Sequence, residues 1–265
     1  MITLTNAQKQ RFIDEGYLVV PGLLPPELVA GTKARLLGSL GIVESDPSTW
    51  TGKPSYPTDL QVIATTDAAR TPDFEAVTEQ LVGADFRRGG CFSPFLEWNH
   101  LPADLSGFIP VLTYPTPGGP RLEPGGFHID GGRYVTTYPG RNYLAVMAYL
   151  TDVAEYGGAT VVRPGSHRQV FERWAADGHE PEEPFAVIPE LDFASPVPVT
   201  VEAGDVCFMH YLTVHSGSTN YAGTIRVGMN TAVQPDPERP YRRKHGPPQP
   251  DWTPLDYTLR MDEPA

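Results

Sequence analysis

His128 and Asp130 stand two residues apart in the run Gly125-Gly126-Phe127-His128-Ile129-Asp130-Gly131. His215 follows 85 residues after Asp130, and Arg226 lies eleven residues further on. Two imidazoles and one carboxylate can occupy one face of an octahedral metal and leave the opposite face open, a ligand set suited to ferrous iron and oxygen chemistry. The two-residue spacing has a mechanical basis. On an extended strand, residues i and i+2 face the same way, so His128 and Asp130 can reach one ion. A His-x-Asp pair alone is common, and it is His215 that completes the set. His210, five residues earlier, is a rival ligand but is expected to be a satisfied histidine at a strand end.

Arg226 lies in the apolar run Thr224-Ile225-Arg226-Val227-Gly228-Met229-Asn230. A guanidinium buried in such a strand must find a partner, because leaving it unpaired costs several kcal/mol. That partner is either an internal carboxylate or the carboxylate of a bound co-substrate, which arginine can grip by a two-pronged ion pair. The turn Ser216-Gly217-Ser218-Thr219-Asn220 separates His215 from Arg226 and is expected to fold their two strands side by side.

The elements that must position these residues are short. Thr5 with Gln8 fits a capping box for a first helix that Gly16 can end. Tyr17-Leu18-Val19-Val20 reads as a strand stopped by Pro21-Gly22, and a second helix runs from Pro25-Pro26 to about Leu40. Residues 43–75 read as a long loop, and Phe74 to Leu81 as a short helix. Strands are expected at Phe108 to Tyr114, Tyr143 to Leu150, Ala159 to Val162, Val197 to Val201, Val206 to His210 and Ile225 to Val233, bounded by turn residues. One more helix is expected near Val170 to Ala176. Several short strands, with helices gathered at the N-terminus, suggest a sandwich or jelly roll braced by helices. The division is residues 1–90 helical and loop, 91–234 β core and 235–265 an irregular tail, all in one domain.

Bulk properties remove several function classes. The chain has 265 residues, enough for one large core without staples. Its 26 glycines and 29 prolines favour turns and short strands. A formal net charge of -12, with no basic cluster beyond Arg242-Arg243-Lys244, argues against nucleic acid. No apolar run approaches the ~20 residues that span a bilayer, and no charged leader precedes an apolar stretch, so a cytoplasmic protein is expected. Cys91 and Cys207 are too few for a disulfide framework and read as buried thiols.

Five segments in order resemble one family, that of phytanoyl-CoA dioxygenase. They are Phe12-Ile13-Asp14-Glu15-Gly16-Tyr17-Leu18-Val19-Val20-Pro21-Gly22-Leu23-Leu24, then Phe127-His128-Ile129-Asp130, then Gly157-Gly158-Ala159-Thr160-Val161-Val162-Arg163-Pro164-Gly165-Ser166-His167, then Ala203-Gly204-Asp205-Val206, then His215, Asn220 and Arg226. The resemblance spans most of the chain, to about residue 234. It implies a mainly β, cupin-like double-stranded β-helix with N-terminal flanking helices. It also implies Fe(II) held by His128, Asp130 and His215, with the co-substrate 2-oxoglutarate anchored by Arg226. The activity implied is that of a 2-oxoglutarate-dependent dioxygenase acting on a small molecule with dioxygen. Hydroxylation is expected, with desaturation or ring closure as variants, and Asp130 argues against halogenation.

The family often carries a serine two residues after the distal histidine. Gly217 stands there, between Ser216 and Ser218, so which hydroxyl assists Arg226 is left open. Thr113 and Tyr114 are further candidates for contact with the co-substrate. His167 is expected to be structural, and Arg133 and Arg141 could meet an anionic substrate or be ordinary surface arginines. A small metabolite or natural-product intermediate is the preferred substrate class. Two other functions remain open: a non-catalytic jelly-roll binding module, and a zinc hydrolase using the same triad.

Overall fold

Neighbouring strand residues alternate between two apolar clusters, and this builds two layers that share one interior. The computed structural model describes residues 2–57, 59–84, 86, 108–129, 143–176, 188, 191–234, 236 and 253–259. Its strands are β1 (Tyr17–Val20), β2 (Ile109–Thr113), β3 (Leu144–Tyr149), β4 (Thr160–Val162), β5 (Val197–Val199), β6 (Val206–His210), β7 (His215–Ser216) and β8 (Arg226–Val233). A five-stranded sheet has the order β1-β6-β3-β8-β2, and a three-stranded sheet the order β5-β4-β7. Every pairing in both sheets is antiparallel. This is the mainly β jelly roll that the sequence leads one to expect.

The larger sheet is covered on both faces, so β3 carries apolar residues at almost every position. Leu18, Leu144, Val146, Phe208, Val227 and Met229 face outward into one apolar cluster with helical residues such as Phe12, Leu36, Phe74 and Leu81. The alternate residues Tyr17, Ala145, Tyr149, Cys207 and Met209 face inward against Val162 and Val199 of the smaller sheet. Burial pushes the Cys207 thiol up to about 12, which makes it an inert packing group. Cys91 lies outside the described residues.

The outer layer consists of α1 (Asn6–Glu15), α2 (Pro26–Leu40), α3 (Leu60–Ile63) and α4 (Pro72–Val82), with α5 (Ser166–Ala176) and α6 (Pro254–Leu259) later in the chain. The capping box of α1 forms as expected, and Gly16 ends it at φ 79°. Four expectations need correction. Residues 43–75 are not simply loop, since they hold α3 and 3-10 turns at Pro47–Trp50 and Ala64–Ala69. Their Ser, Thr, Pro and Asp content masked short apolar contacts at Val62, Ile63 and Ala69. The helix expected near Val170 to Ala176 starts at Ser166 and takes in His167. The tail contains α6, whose Leu255 reaches the main core. Finally, β7 and β8 do not lie side by side: they belong to different sheets, and the turn between them carries the chain from one layer to the other.

Gly16 also explains the rigid join between α1 and the rest. A Cβ there would lie 2.3 Å from His167 Nδ1 and 2.6 Å from Thr213 Oγ1. Gly16→Ala combines that overlap with a left-handed backbone, and a loss of at least about 2 kcal/mol is expected in urea unfolding. A change below about 0.5 kcal/mol would refute this account of the junction.

Beneath Gly16, His167 and His210 are buried with ring centroids 5.2 Å apart. His167 Nε2 donates to Ile13 O at 3.1 Å, while His210 Nδ1 accepts from the Leu212 N–H at 3.2 Å. His210 is therefore neutral, and burial lowers the pKa of each ring, to about 4 for His167, which keeps that ring neutral near pH 7 as well. A base with a depressed folded-state pKa gives stability that is complete above the unfolded value of about 6.5. That stability is lost as pH falls from there toward about 4. For His167 the loss is roughly 3 kcal/mol across this window. His167→Gln should flatten the fall in melting temperature between pH 7 and pH 4.5 relative to wild type. An unchanged slope would show that other groups control it.

Candidate active site

The site starts from the smaller sheet. His215 in β7 pairs with Val162 of β4. On its other side a backbone bridge joins His215 to His128, each N–H donating to the other's carbonyl at 2.9 Å. This places the two imidazoles beside each other, with ring centroids 4.6 Å apart at 53°. Between them in sequence lie 86 residues that include four further strands, and the pairing makes them neighbours.

Both rings have a set tautomer. His128 Nδ1 lies 3.0 Å from Gly126 O, and His215 Nδ1 lies 2.9 Å from Thr213 O. A carbonyl can only accept, so each Nδ1 carries a proton, and in the neutral ring the lone pair is then at Nε2. This is the state in which imidazole binds a metal, with the other ring nitrogen steadied by a carbonyl. Ile129 packs away from the histidines, with Val170, Phe171, Leu212 and Val214. Asp130, Arg133 and Arg141 lie outside the described residues. Among the described residues, no group of three His, Cys, Asp or Glu side chains is placed to hold a metal.

His128 and His215 line a cavity of about 440 Å³ between the two sheets, and Arg226 lines it too. Arg226 is only 4% exposed. Its Nη1 donates to Gly158 O, its Nη2 lies 3.5 Å from Thr160 Oγ1, and its Nε has no partner among the described residues. The guanidinium carbon stands 5.3 Å from the centre of the Tyr149 ring. No carboxylate among the described residues pairs with it. Of the two partners that the sequence allows, the internal carboxylate is therefore not seen among them. Gly228 leaves room for this head group, since a Cβ there would lie 3.2 Å from Ala148 O and 3.7 Å from Arg226 Nη2.

The remaining sequence candidates divide cleanly. Thr113 sits opposite Arg226 in the β2–β8 register and lines the cavity. Tyr114 turns toward the helical layer, its hydroxyl donating to Pro54 O at 3.3 Å. Ser216 donates to Gly217 O, and Ser218 donates to Ala159 O, so both hydroxyl protons are used on backbone. Asn220 ties the turn to the end of β2 and to the segment before β8 by donating to Thr113 O and Thr224 O, each at 2.9 Å. His210 is not among the cavity residues. Tyr149 and Thr160 were missed. Their signal was a hydroxyl in each of two apolar strand runs, where nothing but a neighbouring polar group could satisfy it.

A family model described as phytanoyl-CoA dioxygenase (PhyH) matches residues 12–228. No curated protein sequence matches the chain. Solved structures similar to it include SnoN, a non-heme alpha-ketoglutarate-dependent epimerase from nogalamycin biosynthesis. SnoN has 23% identity and a TM-score of 0.59, with 86% of this chain and 80% of that one covered. SnoK, a carbocyclase of the same pathway, has 20% identity and a TM-score of 0.55, covering 88% and 84%. HygX from Streptomyces hygroscopicus, solved with nickel and 2-oxoglutarate, has 18% identity and a TM-score of 0.53, covering 91% and 90%. These likenesses establish the fold. The family match takes in the paired histidines and the buried arginine in one continuous stretch, and the chain belongs to the phytanoyl-CoA dioxygenase family.

Proposed function

We propose that the protein is an Fe(II)- and 2-oxoglutarate-dependent dioxygenase that hydroxylates a small metabolite or natural-product intermediate, releasing succinate and CO2. The observation that carries this reading is one cavity holding two imidazoles with lone pairs at Nε2 and a buried guanidinium without a carboxylate among the described residues. His128 and His215 would hold the iron, with Asp130 as third ligand by its two-residue spacing from His128. Arg226 would hold the distal carboxylate of 2-oxoglutarate. The donor set fits the metal, since two imidazoles and a carboxylate leave open positions on non-haem iron. When bound, the iron would supply dioxygen activation coupled to oxidative decarboxylation of the co-substrate.

The chain's own part is geometry and exclusion of water. Val111, Ala145, Met147 and Met209 give the cavity an apolar wall. Ser55 and Tyr56 line it from the N-terminal segment, held there by the Leu112 N–H donating to Ser55 O at 2.8 Å. Ring closure is a second reading of the outcome, supported by the carbocyclase SnoK among proteins of this fold. A zinc hydrolase has no use for the buried arginine.

The test is anaerobic titration with Fe(II) and then 2-oxoglutarate, watched for a visible charge-transfer band. A band that saturates at one equivalent of each is the expected result. If no band forms with metal-loaded protein, the oxygenase reading fails.

A further inference from the structure

Asn230 is a polar residue in the middle of a strand that pairs on both sides. It stands opposite Ile109 of β2 and Met147 of β3. Asparagine is depleted in strands, and apolar neighbours on either side give it nothing to bond. Val227 and Met229 face the outer core, so the alternate residues Arg226 and Asn230 face inward, and both line the cavity. The Asn230 amide has no hydrogen-bond partner among the described residues. Its donors and its acceptor point into space that a ligand can fill.

Position says which ligand. Thr160 lies beside the Arg226 head group, and Val162, two residues on, pairs with His215. The metal-binding imidazoles therefore stand about 7 Å along the cavity from its arginine end. Asn230 is four residues from Arg226 on β8, or about 14 Å. A diacid gripped by Arg226 and reaching a metal at the histidines fills the first half of this length. Asn230 faces the second half, from which a substrate meets the metal. Charge narrows the class. Arg226 is the one lysine, arginine or carboxylate side chain among the described residues of the cavity wall, and the co-substrate takes it. The wall is otherwise apolar at Val111, Ala145, Met147 and Met209. An uncharged amide in an apolar wall suits an uncharged oxygen.

We propose that Asn230 is a specificity-determining residue, whose amide bonds a hydroxyl or carbonyl of a neutral, mostly apolar substrate. This rests on the reading of the cavity as an iron and 2-oxoglutarate site and narrows its substrate class. The amide is unpaired before substrate binds, and a molecule of the right shape without the oxygen leaves it unpaired afterwards. That difference is the discrimination.

The test uses anaerobic protein loaded with Fe(II) and saturating 2-oxoglutarate, with the charge-transfer band confirming that both are in place. Three probes of one shape are compared by equilibrium dialysis: 2-naphthol, naphthalene and 2-naphthoate. Wild type should bind 2-naphthol tighter than either of the others. Asn230→Leu, of similar size, should lower the ratio of 2-naphthol to naphthalene affinity by about 10-fold. Naphthalene itself should stay within about twofold, and so should 2-oxoglutarate. The variant's melting temperature should hold or rise, because an unpaired amide is gone. A variant several degrees less stable with its 2-naphthol preference intact would make Asn230 a structural residue. Preference of wild type for 2-naphthoate or naphthalene, or binding of none of the three, overturns the proposal while the band keeps the oxygenase reading. Absence of the band in wild type overturns both.

Discussion

His215→Ala is expected to weaken Fe(II) binding by more than about 100-fold, because even losing a group that only steadies a metal ligand costs 10- to 100-fold. The fold should survive. His215 is held in β7 by backbone pairing on both sides, to Val162 and to His128, and alanine keeps those bonds. Equilibrium dialysis under anaerobic conditions measures the affinity, and far-UV circular dichroism checks the sheet. His210→Gln serves as the contrast, since His210 packs beneath Gly16 and away from the cavity. It should alter stability and keep iron affinity within about twofold. If His210→Gln were the variant that loses iron, the ligand assignment would be wrong.

Arg226→Met should raise the dissociation constant of 2-oxoglutarate by roughly 100- to 1000-fold, since a two-pronged charge-assisted pair is worth about 3–4 kcal/mol. Iron binding should not change. A second effect has the opposite sign. The guanidinium is buried without a carboxylate among the described residues, so the protein without co-substrate bears its desolvation cost. Methionine of similar length removes that cost, and the ligand-free melting temperature should stay level or rise. The stabilisation that 2-oxoglutarate gives to wild type should disappear. A ligand-free variant several degrees less stable, with normal co-substrate binding, would identify Arg226 as a structural residue.

Much of this was legible in the residues. The strands at Val206–His210 and Leu144–Tyr149 follow from short apolar runs between turns, and α1 follows from its capping box and Gly16. The proximity of His128 and His215 was expected only through chemistry. Periodicity cannot say that β7 pairs on one side with β4 and on the other with His128, because register between distant strands is a tertiary property. The same limit explains the error over β7 and β8, where a five-residue turn looks like a hairpin but changes layer. Thr160 and Tyr149 escaped because a lone hydroxyl in an apolar strand has no period of its own. Its meaning comes from what stands across the gap between the sheets.

The edge position of β1 has a consequence for biosynthesis. Tyr17 pairs with Met209, and Val20 with Val206, so the first strand waits for a partner some 190 residues downstream. At ~5–20 residues per second of translation, that wait is about 10–40 s. Throughout it the Tyr17–Val20 segment is an apolar strand with nothing to pair against, a ready substrate for ribosome-associated chaperones. Nascent chains stalled before residue 205 should be cut by protease within the first twenty residues, and chains stalled well past residue 240 should resist. Early resistance would mean that another segment shields this strand until the sheet can close.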